Sequence, residues 1–327
     1  MFIKKFQIGT NVSNVGRRSI LFAALISATL AFATVHCGFV DFSDIAAKRF
    51  LGNANQYFTL RPGQSFTELT PKVFTYQDGF NRNLAIRTRD GFVIIDSFNP
   101  EFARGLVAEL ERRFPGQPVH TLFYSHYHLD HVQGGAAFKP RNVVSHRNLA
   151  RYWRFLDTDE IVPTTATIAG DTTLNIGGVE IRLLDMGLSH TDTLFAFYLP
   201  AERVVFAPDL GFVRALPPAG MPDMYYFGYV AALERLAGLD FDIYVPSHFD
   251  TGRRQDLQEY VTFLRDTRQW VQTAYDRHGP ITKPGVPEFY YDAVYVPLKA
   301  KYGDWLGFDE MAATVLVRNL AGTYLGY

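Results

Sequence analysis

A single cysteine, Cys37, serves a chain of 327 residues. One thiol excludes an intrachain disulfide framework, and it leaves any metal site away from it with nitrogen and oxygen donors only. Excess charge of one sign is equally scarce: 32 Lys and Arg face 33 Asp and Glu, for a formal net charge of −1. Polyphosphate binding needs clustered cations, so nothing here argues for nucleic acid as a partner. The first 33 residues hold no acid at all, and shedding their four cations (Lys4, Lys5, Arg17, Arg18) takes the net charge from −1 to −5. Linkers are missing too: no Pro/Gly/Ser-rich stretch splits the body, which reads as one domain with appendages. What is plentiful is apolar surface, with 47% hydrophobic and 15% aromatic residues, ample for a large core.

The one long uncharged apolar run is Ser19 to Val35, after a basic, polar start and ending around Ala31-Phe32-Ala33. That layout predicts a secretory signal peptide over residues 1–33, cleaved after Ala33, and therefore export, with the periplasm as the expected location. Arg17-Arg18-Ser19-Ile20-Leu21 resembles a twin-arginine export motif. The alternative is an uncleaved inner-membrane anchor, because the run is near the lower length limit for spanning a bilayer. Residues 34–65 read as a leader, with Asp44 able to cap a short helix through Phe50.

The densest chemistry is Ser125-His126-Tyr127-His128-Leu129-Asp130-His131. It follows Val119 to Tyr124, a run whose β-branched and aromatic content predicts a buried strand. A strand ending in imidazoles and a carboxylate gathers zinc, iron or manganese donors at one sheet edge. His126 and His128 can aim at one ion, and Asp130 and His131, past the turn, at a second.

Other elements follow from pattern. Strands are expected at Val73–Tyr76, Asn83–Arg87 and Phe92–Ile95, the last two joined by an Asp90-Gly91 hairpin. Asn99-Pro100 predicts a capped helix start, with Ala103, Leu106, Val107, Leu110 and Phe114 on one apolar face. A strand at Asn142–Ser145 leads through His146 to an aromatic helix, Asn148 to Phe155. Further strands are expected at Thr172–Asn175, Val179–Leu184, Thr193–Tyr198, Arg203–Phe206 and Asp242–Val245. A helix near Met224–Ala237, a long helix capped by Thr251 and ended by Gly279-Pro280, and a helix over Glu310–Leu320 capped by Asp309 complete the outline. Two sheets packed face to face with helices outside account for this order.

At this point the chain resembles the metallo-β-lactamase superfamily, the αββα metallohydrolases. The resemblance rests on Asp96 closing the strand GFVIID, on the motif His126-x-His128-x-Asp130-His131, and on His190, Asp209 and His248 following in order, each at or near a strand end. It covers Val73 to His278. The implied fold is α/β, a four-layer αββα sandwich of two mixed sheets flanked by helices. The implied domain layout is a catalytic domain over 66–280 and a C-terminal aromatic extension over 281–327, whose Phe289, Tyr290, Tyr291, Tyr295, Trp305 and Phe308 are read as core packing.

The resemblance also implies ligands. One metal takes His126, His128 and His190; the other takes Asp130, His131 and His248; Asp209 bridges them. Asp96 stands behind, accepting from a ligand N–H. Asp130 is the candidate catalytic residue, and Tyr127, Tyr225 and Tyr226 are candidates to line the pocket. Two Zn2+ per chain are expected, with iron or manganese as alternatives. An aspartate at the bridging position, where zinc β-lactamases commonly carry Cys or Ser, points to the glyoxalase-II-like and lactonase-like branches. The expected activity is hydrolysis of an ester, thioester or lactone of a small-molecule substrate by a metal-bound hydroxide. Two alternatives use the same residues. One is a mononuclear iron enzyme like the persulfide dioxygenases, held by His126, His190 and Asp209. The other is a non-hydrolytic periplasmic metal-binding accessory protein. No motif specifies substrate or oligomeric state.

Overall fold

Gly91 starts a strand at φ +117°, with no room for a Cβ against the Pro118 carbonyl, and this tight point joins β4 (Leu84–Thr88) to β5 (Gly91–Ile95) as the expected hairpin. The computed structural model describes residues 57–154, 160–218, 221, 223–279 and 289–326. The signal segment, the Asp44–Phe50 helix and most of the leader lie outside the described residues, as do Phe155 and Pro280. Among the described residues, no helix is long and apolar enough to cross a membrane.

Besides that hairpin, the first sheet holds β1 (Gln64–Thr70), β2 (Val73–Asp78), β3 (Asn81–Arg82), β6 (Val119–Phe123), β7 (Asn142–His146) and β8 (Ala166–Ile168). Its order is β1-β2-β4-β5-β6-β7-β8 with β3 paired to β2, antiparallel up to β5 and parallel beyond it. The second sheet runs β13 (Ile243–Pro246), β12 (Val204–Ala207), β11 (Phe195–Leu199), β10 (Val179–Asp185), β9 (Thr172–Ile176); only β12 and β13 are parallel.

The cores follow the layers. Val73, Ile86, Val93, Ile95 and Phe123 meet Ile181, Leu183, Phe197, Val204 and Phe206 between the sheets. Helix α1 (Pro100–Arg113) covers the outer face of the first sheet with Phe102, Ala103, Leu106 and Leu110 buried. Its Asn99 Oδ1 accepts from the N–H groups of Glu101 and Phe102 at 3.0 and 2.9 Å, a cap that contributes about 1 kcal/mol. Short α2 (Leu129–Val132) and α3 (Ala150–Trp153) follow; α4 (Tyr226–Ala237), α5 (Arg254–His278), α6 (Val296–Tyr302) and α7 (Phe308–Leu325) come after the second sheet, whose outer face packs against them. The molecule is the four-layer αββα sandwich.

Several details depart from the pattern. α3 is a single turn, shorter than Asn148–Phe155. The cap of α5 is not Thr251: the Asp256 carboxylate accepts from the Arg253 N–H at 2.7 Å, a local bond that outcompetes a hydroxyl two residues upstream. α7 starts after Gly307 at φ +73°, so Asp309 sits inside the first turn, where the helix dipole favours an acid. β1 had no sequence expectation, because an edge strand that is mostly exposed, with Phe66 and Leu69 packed against the cores, carries only a weak apolar pattern. In the C-terminal extension Tyr290, Trp305 and Phe308 are buried, with Trp305 5.0 Å from Phe263 of α5, as core packing requires.

Candidate metal centre

Parallel pairing decides which side chains meet. β5 and β6 align Ile95 with Phe123, so Asp96, just past β5, lies beside the chain leaving β6, its N–H on the Phe123 carbonyl at 2.9 Å. β12 and β13 align Ala207 with Pro246, which brings Asp209 to Ser247 and His248. The Ser247 hydroxyl donates to Asp209 Oδ1 at 2.5 Å and accepts from the Asp209 N–H at 3.0 Å. Asp209 has a left-handed φ of +53°, a conformation that costs an ordinary residue about 1 kcal/mol or more. Tyrosine hydroxyls hold it there. Tyr229 donates to the Asp209 carbonyl and accepts from the Gly211 N–H, both at 2.8 Å, and Tyr244 donates to the Leu210 carbonyl.

The first sheet reaches across to the same place. The Arg82 N–H and Nε donate to the carbonyls of Ser247 and Phe249, each at 2.7 Å, and the Phe80 ring stacks on His248 at 4.7 Å. The turn after β6 delivers His126 and His128, and α2 presents Asp130 and His131. His190 arrives on the loop after β10, tied to the start of α4 by the Tyr225 N–H on the Ser189 carbonyl at 2.8 Å. Gly228 of α4 packs so close to the Leu188 carbonyl that no Cβ fits.

All seven candidate ligands converge. His126, His128, His190 and Asp209 form one donor group, and Asp130, His131 and His248 a second. Asp209 reaches both: Oδ2 lies 3.4 Å from His126 Nε2, 3.3 Å from His131 Nε2 and 3.1 Å from His190 Nε2, while Oδ1 is 2.9 Å from His248 Nε2. His190 Nε2 is 3.1 Å from His128 Nδ1. Two ligands each about 2.05 Å from a tetrahedral ion stand roughly 3.3 Å apart, so these separations are those of atoms sharing one cation. The far sides of the rings are tethered. Ser125 Oγ meets His126 Nδ1 at 2.9 Å, and Asp96 Oδ2 meets His131 Nδ1 at 3.0 Å. The inward Nε2 atoms of His126 and His131 are buried without a hydrogen-bond partner, which is the state of a ligand atom facing a cation. The donor set fits metal ions.

The charge pattern agrees. Burial, with His131 and His128 nearby, holds His126 well below the usual imidazole range. Burial also pulls His131 down, but Asp209, Asp130 and Asp96 outweigh it and hold His131 well above that range. Burial pushes the Asp209 carboxyl up, and the surrounding imidazoles, His131 and His248 foremost, overcome this and hold it well below the carboxylate range. An ionised carboxylate inside a cage of imidazoles is the apolar interior's nearest substitute for a carboxylate among cations.

Most members are buried; half-buried His128 and the Asp130 side chain, 64% exposed, mark the open side. Tyr127 lies there, its ring 4.7 Å from His128 and stacked on Tyr152 at 3.9 Å. Tyr225 is half-buried just before α4. Tyr226 does not line the site: it is buried in the core, where its hydroxyl donates to the Leu264 carbonyl at 3.0 Å. Three supporting residues had no role from sequence. Ser125 and Ser247 adjoin ligands in the motifs, which was a usable signal; Asp223 had none.

A family model, the metallo-beta-lactamase superfamily, matches residues 80–248. The chain belongs to that superfamily. As a member of the metallo-β-lactamase superfamily it is an enzyme, a hydrolase of the metallo-β-lactamase fold. Among curated relatives, the 2,4-dinitroanisole O-demethylase subunit alpha of Nocardioides sp. (strain JS1661) is 31% identical over 252 residues, 76% of this chain and 72% of that protein. The hydroxyacylglutathione hydrolase of Ruegeria pomeroyi is 30% identical over 152 residues, 44% of this chain and 53% of that protein. A solved metallo-beta-lactamase from Pontibacter korlensis superposes with a TM-score of 0.54 at 24% identity, covering 62% of this chain and 99% of that one, which is a likeness of fold.

Proposed function

We propose that this chain is a dinuclear metal hydrolase, with zinc as the ion, that cleaves a small-molecule ester, thioester or lactone after export to the periplasm. The observation that carries it is Asp209, whose two oxygens reach histidines of both donor groups. Two divalent cations supply, when bound, acidified water and a Lewis-acid contact for an oxygen gaining charge. Asp209 keeps the two groups together and offsets their mutual repulsion. Asp130, the exposed member, stands where substrate enters and can pass a proton to solvent. The hydroxyacylglutathione hydrolase relative supports a thioester or ester. A second reading, removal of a methyl group from an aryl ether oxygen, is favoured by the longer match to the O-demethylase subunit.

The test is metal analysis of the purified protein followed by a panel of esters, thioesters, lactones and an aryl methyl ether. Two zinc ions per chain and turnover of an ester, thioester or lactone are expected; turnover of the ether alone selects the second reading. One iron with oxygen uptake would overturn both in favour of the dioxygenase alternative, and full loading with no turnover would favour the accessory protein. Export carries its own check, because N-terminal sequencing of the native protein should begin at Thr34. A cytosolic protein starting at Met1 contradicts it.

A further inference from the structure

The geometry points to Asp223 as a positioning residue that orients His128 and His190 and is itself held by the C-terminal extension through Arg318. This rests on the proposed reading of the donor groups as metal sites.

Asp223 lies between β12 and α4, outside every motif. Its Oδ2 is 2.7 Å from His128 Nε2, and its Oδ1 is 3.9 Å from His190 Nδ1. A carboxylate only accepts, so the His128 hydrogen sits on Nε2 and the bare Nδ1 turns inward, where His190 Nε2 lies 3.1 Å away. The outward His190 Nδ1 is buried with no hydrogen-bond partner, and Asp223 supplies the negative charge it faces. Asp96 serves His131 in the same way from the opposite side. Each donor group therefore has its own outer carboxylate.

What fixes Asp223 comes from far along the chain. Arg318 is a buried arginine on α7. Its Nε donates to the Met221 carbonyl at 3.2 Å and its Nη2 to the Met224 carbonyl, on either side of Asp223. The Met224 N–H closes the turn on the Met221 carbonyl at 3.1 Å. A forked cation spanning two carbonyls ties Met221 to Met224 on the two sides of Asp223. The extension, which contributes no candidate ligand, thus acts on the three-histidine group through one side chain.

The test uses the full-length protein and two readouts. NMR of 15N-labelled imidazoles in the metal-free state reports the His128 tautomer. Zinc competition against a chromogenic chelator, in an Asp130→Ala background that leaves the three-histidine group, reports its affinity. Asp223→Ala is expected to release His128 from the Nε2–H form and weaken zinc about 10- to 100-fold. Asp223→Asn, whose amide oxygen still accepts, should keep the tautomer and most of the affinity. Arg318→Lys, which cannot span both carbonyls, should show the Asp223→Ala changes at smaller size. An unchanged tautomer in Asp223→Ala overturns the proposal whatever the affinity does, and wild-type values in Arg318→Lys remove the extension from it. Absence of zinc binding in the wild type would count against the hydrolase reading instead, since the tautomer is read without metal.

Discussion

Asp209→Asn is expected to lose at least about 100-fold in hydrolysis and to hold the second metal far more weakly than the first. Replacing a partner outside the ligand set costs about 10- to 100-fold, and Asp209 stands inside that set, its oxygens reaching histidines of both groups. The amide is nearly the same size, so the strained turn held by Tyr229 and Tyr244 survives and the protein should fold. What goes is the negative charge between the cations. Mass spectrometry under native conditions should show about one zinc where the wild type holds two, because His126, His128 and His190 still form a set. Wild-type metal content and rate in Asp209→Asn would place the residue outside the site. Asp209→Cys should bind zinc but turn over the native substrate poorly, and wild-type turnover of a carbapenem should be marginal.

Asp96→Ala is expected to damage stability as well as chemistry. The carboxylate is fully buried and accepts from the Ser125 N–H at 2.8 Å, the Ser125 hydroxyl at 2.7 Å and His131 Nδ1 at 3.0 Å. Its removal leaves those donors unsatisfied in an apolar interior, at about 1–3 kcal/mol for each one not rescued by water. A net loss of about 3 kcal/mol is expected in urea unfolding, with zinc at the His131 group weakened about 10- to 100-fold. Unlike Asp223, Asp96 serves donors on both oxygens. An Asp96→Asn amide whose one oxygen takes the Ser125 N–H turns its NH2 toward His131 Nδ1, so it should recover part of the stability and little of the zinc affinity. Equal stability of Asp96→Ala and wild type would show that the network contributes nothing net.

The difference between Asp96 and Asp223 shows what a sequence can and cannot disclose. Asp96 closes an apolar strand, and its partners follow the neighbouring parallel strand, so local pattern and pairing suffice to place it. The same holds for His126 to His131, and for Asp209 and His248 at the ends of β12 and β13. Asp223 meets His128 from 95 residues away, out of a stretch with no motif of its own, and only tertiary packing brings them together. Tyr226 misled for a related reason: a tyrosine near a ligand loop is as well suited to a helix's buried face as to a pocket, and the phase of α4 decides. The cap of α5 was illegible because Arg253, a residue type with no capping preference, holds the N-cap position, and Asp256 in the first turn closes on its N–H.

Each donor group draws members from both sheets: His131 with His248, and His126 and His128 with His190. Neither sheet alone carries a complete set. Contacts between residues this far apart in sequence form late in folding, after the chain entropy of closing long loops has been overcome. The centre therefore comes into being only when the two halves dock, so an intermediate with one finished sheet would hold scattered imidazoles and no pair of ligand sets. Metal capture is in this sense a report on closure of the sandwich.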